Sequence, residues 1–186
     1  MASHSQPQGK RLVIGITGRI GSGKTTVGKY LESMHGFQYL RYSAVLADWL
    51  AKDPESKAHL QEVGWEVMAG GMQAELNRRL VEEIKPGSDV AVDGLRHPLD
   101  RQTLKDRFSN SFHLLFIDSP LQLRRERLKE KYPDVARFQQ ADSHAVEQQI
   151  DSLGPSAFVI QNESSIQALH AKVDEAISRF RKEGQS

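Results

Sequence analysis

The eight residues Gly18-Arg-Ile-Gly-Ser-Gly-Lys-Thr25 constrain this chain more than any other feature. Their G-x-x-x-x-G-K-[ST] spacing is that of a phosphate-binding loop, in which successive backbone N–H groups and a helix N-terminus converge on an anion. Such a loop needs a strand before it and a helix after it. The chain supplies both, with an apolar run at 12–16 and a helical stretch at 24–35. Lys24 is expected to bridge the outer phosphates of a nucleotide, and the Thr25 hydroxyl to ligate the magnesium that travels with them. Gly18, Ile20, Gly21, Ser22, Gly23, Lys24, Thr25 and Thr26 are therefore the predicted contacts, with ATP as donor and Mg2+ as its metal.

The rest of the chain alternates short apolar runs with helical stretches. Strands are predicted at 12–16, 37–42, 90–92, 112–117 and 158–160. Helices are predicted at 24–35, 44–52, within 56–84, and at 99–108, 120–131, 143–153 and 165–181. Gly64 and the Gly70-Gly71 pair are expected to break the long one. Short buried strands separated by helices predict an α/β fold with three layers, a parallel sheet of about five strands carrying helices on both faces. Residues 1–9, rich in Ser, Gln and Pro, read as a loose tail ahead of one domain spanning 10–186.

Composition narrows the function classes. No apolar stretch of the 186 residues approaches the ~20 that a membrane helix requires, so no membrane partner is expected. Lysine and arginine number 25 against 24 acidic residues, which gives no global field to attract nucleic acid. The absence of cysteine excludes disulfides, thiolate nucleophiles and zinc–cysteine sites. The seven histidines lack metal-ligand spacing, and the N-terminus lacks an apolar signal core, so a cytoplasmic location is expected.

A second informative run is Val90-Ala-Val-Asp-Gly-Leu-Arg96. An acid at the C-terminal end of a buried strand lies at the sheet edge where α/β folds bind ligands, so Asp93 is predicted to reach the magnesium through water. The planar fork of Arg96 suits a phosphate that must be oriented for attack. The competing reading has Asp93 capping a helix that begins near Pro98, with Arg96 a solvated loop residue.

At these residues the sequence resembles the P-loop nucleoside monophosphate kinases and their relatives, including dephospho-coenzyme A kinases and deoxynucleoside monophosphate kinase-like proteins. The run from Gly15 to Val27 is similar to the dephospho-coenzyme A kinase opening. Asp93-Gly-Leu-Arg96 resembles the Asp-Gly-(Phe-Pro)-Arg segment of adenylate kinases and the Asp-Gly-Ile-Arg segment of a kinase-like group. The stretch from Phe116 to Leu128 resembles the strand and arginine-bearing helix that lead into a mobile lid, here near 129–143. The run from Phe158 to Asn162 resembles the last strand and the asparagine turn near the donor base, which makes Asn162 a candidate nucleotide contact. Arg124, Arg127 and Lys131 fall at i, i+3 and i+7, a cationic stripe suited to covering the transferring phosphoryl group. Arg137 is a weaker lid candidate. In Asp118-Ser119-Pro120, Ser119 reads as an N-cap and Pro120 as the first helical residue.

The resemblance implies an ATP-dependent phosphotransferase acting on a nucleoside or deoxynucleoside monophosphate, with Lys24, Asp93, Arg96, Arg124 and Arg127 as catalytic residues. One segment departs from the family. Ala44 and Ala47 stand where an Asp and an Arg usually hold the acceptor, leaving Arg41, Tyr42, Ser43 or Asp48 as substitutes. Trp49, Trp65, Met68 and Met72 either frame an acceptor base or pack in the core. Two other readings stay open: a dephospho-coenzyme A kinase or other small-metabolite kinase, and a nucleotide-sensing module without transfer.

Overall fold

The computed structural model describes residues 11–50 and 57–183. The expected tail at 1–9 lies outside them. Five parallel strands form one sheet in the order β2-β3-β1-β4-β5. They are β1 (Val13–Thr17), β2 (Gln38–Arg41), β3 (Val90–Asp93), β4 (Phe112–Asp118) and β5 (Phe158–Gln161). Between them run α1 (Lys24–His35), α2 (Tyr42–Trp49), α3 (Lys57–Ala69), α4 (Gln73–Glu82), α5 (Pro98–Phe108), α6 (Leu121–Arg127), α7 (Val135–Asp142) and α8 (Ala145–Ile150), and α9 (Ile166–Glu183) follows β5.

The alternation of strand side chains builds two cores. Val13, Val90, Val92, Phe112 and Leu114 face α2, α3, α4 and α5. Ile14, Ile16, Ala91, Leu115, Ile117 and Ile160 face α1 and α9. Because both faces are covered, the strands read as nearly continuous apolar runs, and three layers follow. The strand order reverses at β1, which pairs with β3 on one side and β4 on the other. A crevice therefore opens at the C-terminal end of β1, where the phosphate loop begins.

Several boundaries differ from expectation for local reasons. Gly64 lies inside α3, and the break comes at Gly71, whose φ is +73°. The last predicted helical turn of 120–131 is absent, because α6 stops at Arg127 and Leu128 bends away. Pro120, with ψ of 141°, is the N-cap of α6, not its first helical residue. Ser119 instead donates its hydroxyl to the Asn162 carbonyl at 2.8 Å, tying the ends of β4 and β5. The predicted helix 143–153 is α8 followed by a 3-10 turn at Asp151–Ser156, which contains Pro155.

One close approach fixes the edge strand. The ring of Tyr39 on β2 packs against Gly28 of α1, where a Cβ would sit 2.2 to 2.8 Å from three ring atoms. Replacing Gly28 with alanine is expected to destabilise the fold by about 1–3 kcal/mol in urea unfolding. The added Tyr39→Ala change should recover part of that loss, a coupling a double-mutant cycle measures directly.

Candidate functional site

A cleft of about 370 Å³ lies over the C-terminal ends of β1 and β3. Ile20, Gly21, Gly23, Lys24, Thr25 and Thr26 form its phosphate-loop wall, and Asp93, Arg96 and Arg127 line it from other elements. The loop is held from below. Asn162 donates its amide to the Ser22 carbonyl at 2.7 Å, and a Cβ on Gly23 would come within 2.4 Å of that amide nitrogen. Gly23 also has φ of +107°, so a glycine is required there on two grounds. Ser22 is buried, and its hydroxyl has no hydrogen-bond partner among the described residues.

Lys24 donates to the carbonyls of Gly18 at 2.6 Å and Arg19 at 3.1 Å. Burial pushes its ammonium below the usual lysine range, with the Glu147 carboxylate working in the opposite direction. Its contacts are backbone carbonyls of the loop mouth, which a phosphate can replace.

Thr25 at the start of α1 donates its hydroxyl to the Asp93 carboxylate at 3.1 Å. Asp93 closes β3 and is buried. It also accepts from the Tyr39 hydroxyl at 2.7 Å, and burial followed by the Asp93 charge pushes that phenol well above its usual range. The helix-cap reading of Asp93 does not hold. His97 caps α5 through Nδ1, which accepts from the Leu99 N–H at 3.0 Å, and Asp100 accepts from the His97 N–H at 2.9 Å.

The cationic residues divide. Arg127 reaches the cleft wall, donating to Ser119 Oγ at 2.9 Å and the Asn162 carbonyl at 3.0 Å. Arg124 lies beneath the loop, 5% exposed, where it pairs with Asp142 and donates to the carbonyls of Ser119 and Ile20. Lys131 lines the cleft. Of the expected stripe of 124, 127 and 131, Arg124 is thus set apart beneath the loop, while Arg127 and Lys131 both line the cleft. Arg137 is exposed and pairs with Asp134 at 3.2 Å. The expected lid, 129–143, corresponds to α7 and its approach, and it is tied to the loop where Arg19 donates to the Asp142 carbonyl at 3.1 Å.

At the far end, Arg41, Tyr42, Ser43, Leu46, Met68 and Leu76 line the cleft together with Gln73 and Asp100. Gln73 donates to Asp100 at 2.5 Å, and burial raises the Asp100 carboxyl above its usual range. Of the four large apolar candidates, Met68 alone is among the lining residues. Trp49 packs on the core beneath Arg79, Trp65 meets His144 edge-on, and Met72 is exposed.

Three participants carried no motif in the sequence. Tyr39 sits on an edge strand, Gln73 begins α4, and Glu147 lies on the buried face of α8. Glu147 accepts from the Ile20 N–H at 2.8 Å and pairs with Arg96. Three acids, at 142, 147 and 151, pair with three arginines, Arg19, Arg96 and Arg124.

The donor set suits a hydrated divalent cation beside a nucleotide: a hydroxyl and a carboxylate from adjoining elements, next to a glycine-lined cradle. Among the described residues, no group of three or more His, Asp or Glu side chains is placed to hold a metal by itself. No helix among them is long and apolar enough to cross a membrane.

A family model described as an AAA domain matches residues 14–148. A UPF0200 protein from Methanothermobacter thermautotrophicus is 26% identical over 187 residues, covering 94% of this chain and 93% of that protein. The fold is similar to a gluconokinase from Sinorhizobium meliloti 1021, with a TM-score of 0.61 at 14% identity over 93% of this chain and 96% of that one. It is also similar to shikimate kinase from Acinetobacter baumannii in complex with shikimate, with a TM-score of 0.54 at 16% identity over 94% and 97%.

If Tyr39 orients Asp93, Tyr39→Phe is expected to weaken magnesium-dependent nucleotide binding by about tenfold or more, since a single hydrogen bond to a charged group contributes ~1.5–3 kcal/mol. Asp93→Asn removes the charge itself and should weaken that binding further. Titrations with and without magnesium check both. Magnesium-dependent binding that Asp93→Asn leaves unaltered would return Asp93 to a structural role.

Proposed function

The chain belongs to this AAA-domain family, and from that premise we propose that it is a magnesium-dependent phosphotransferase moving the γ-phosphoryl group of ATP to a small acceptor. The finer reading takes the acceptor as a nucleoside or deoxynucleoside monophosphate. The observation that carries the proposal is the meeting of the phosphate loop with an acid at the end of the adjacent strand, Thr25 Oγ1 lying 3.1 Å from Asp93.

Phosphoryl transfer asks a protein for positioning and charge neutralisation more than for covalent chemistry. The Gly18–Thr25 loop would hold the donor, with Lys24 at its outer phosphates. Thr25 directly, and Asp93 through water, would hold the magnesium, which supplies charge neutralisation across the phosphates when bound. Arg96 faces the acceptor end, where its fork can orient an acceptor phosphate. Arg127 stands on the cleft wall to cover the transferring group, while Arg124 supports the loop's shape from beneath. Arg41, Tyr42 and Ser43 take the part that Ala44 and Ala47 lack, and the apolar surface of Leu46, Met68 and Leu76 gives a flat acceptor a place to rest.

A second reading has a metabolite acceptor attacked through a hydroxyl. It is favoured by the pairing of Arg96 with Glu147, which lowers the net positive charge at the acceptor end.

A panel of ribo- and deoxynucleoside monophosphates, dephospho-coenzyme A and polyhydroxy acids, assayed for acceptor-dependent ADP release, separates the two. Lys24→Ala should abolish transfer while leaving the thermal midpoint nearly unchanged, and wild-type turnover in that variant would sink the assignment. Arg96→Ala should lower acceptor kcat/KM by roughly two orders of magnitude, since each ~1.4 kcal/mol is tenfold. Lysine at 96 should rescue only partly, because it keeps the charge without the fork. An equal loss of ATP affinity and acceptor use in Arg96→Ala would move Arg96 to the donor site.

A further inference from the structure

Glu147 is a fully buried carboxylate, 0% exposed, between the buried apolar residues Val146 and Ile150 on one short helix. Burying a charge is costly unless it is paired and hydrogen-bonded, so the identity of its two partners is informative. One is the backbone N–H of Ile20, inside the phosphate loop, and the other is the guanidinium of Arg96. Both are groups built to receive an anion. Lys24 points to the same end of the loop, with its ammonium against the carbonyls of Gly18 and Arg19. Since the lysine of such a loop reaches the outer phosphates, residues 18–20 mark the outer-phosphate end of the site.

We propose that Glu147 is an internal anion that occupies the outer-phosphate position and yields it to the terminal phosphate of a triphosphate, making the site discriminate ATP from ADP. This rests on the phosphotransferase reading above and deepens it. A diphosphate leaves the Ile20 N–H and Arg96 with Glu147. A triphosphate brings a second anion to the Ile20 N–H, and like charges cannot share that donor, so the carboxylate moves off and releases Arg96 for the acceptor. The helix that carries Glu147 need not travel. Asp142 before it is fixed to Arg124 and Arg19, and Asp151 after it is fixed to Arg19 at 2.6 Å. The change is confined to one side chain.

The test is calorimetric binding of ADP and of a non-hydrolysable ATP analogue, both with magnesium, to the full chain. Glu147→Gln keeps the shape and removes the charge, so the analogue should bind about tenfold more tightly while ADP changes less than about twofold. Glu147→Asp retains the charge on a side chain one methylene shorter, which loosens its hold on the two donors. Its analogue-to-ADP affinity ratio should fall between those of wild type and Glu147→Gln, and it supplies the answer if the glutamine variant fails to fold. A ratio that stays at the wild-type value in the folded variants, or equal weakening of both nucleotides, overturns the proposal and leaves the phosphotransferase reading standing. If the wild-type chain binds neither nucleotide, both readings fall together.

Discussion

The grip of the sheet on the phosphate loop is the interaction on which the rest depends. Asn162 at the end of β5 donates to the Ser22 carbonyl, its own carbonyl accepts from Ser119 at the end of β4, and Arg127 adds a third tie to the same carbonyl. A loop whose backbone N–H groups must point inward at an anion needs such ties to hold that shape before the anion arrives. The bonds to Asn162 fix it in advance, so less ordering is left for the moment of binding. The same ties bring β4, β5 and α6 into register with β1, which links the sheet to the cleft.

The fold was legible because both signals that define it are local. A buried parallel strand is a short apolar run, and the glycine-rich spacing marks where the first one ends. The loop residues and Asp93 follow from that alone. The helix limits were less legible, because they turn on tertiary bonds. Ser119 looks like a cap until the Asn162 carbonyl claims its hydroxyl, and Gly64 looks like a break until α3 is seen to run through it. Glu147, Tyr39 and Gln73 lie far in sequence from their partners, at separations of 127 from Ile20, 54 from Asp93 and 27 from Asp100. No periodicity reports contacts of that kind.

Several buried charges surround the cleft. Arg124 with Asp142 lies beneath the loop, Arg96 with Glu147 beside it, and Asp100 with its backbone donors at the far end of the cleft. Apolar replacements would pack as well and often stabilise as much, so such pairs argue for arrangement more than for stability. What they arrange here is a set of guanidinium groups held in fixed directions around an anion-binding loop.

Arg19 shows what this means for the molecule in its solvent. From the loop it joins an acid at 57% exposure, Asp151, to a more sheltered one, Asp142, at 16%. The mobile ions of a salt solution weaken the first attachment far more than the second, because screening acts through water. Rising ionic strength would therefore undo the fastening behind α8 while leaving the one ahead of it in place. The segment between the two acids would then keep its hold at Asp142 and Glu147 and lose it at Asp151, so the freedom of its far end would depend on the saltiness of its surroundings.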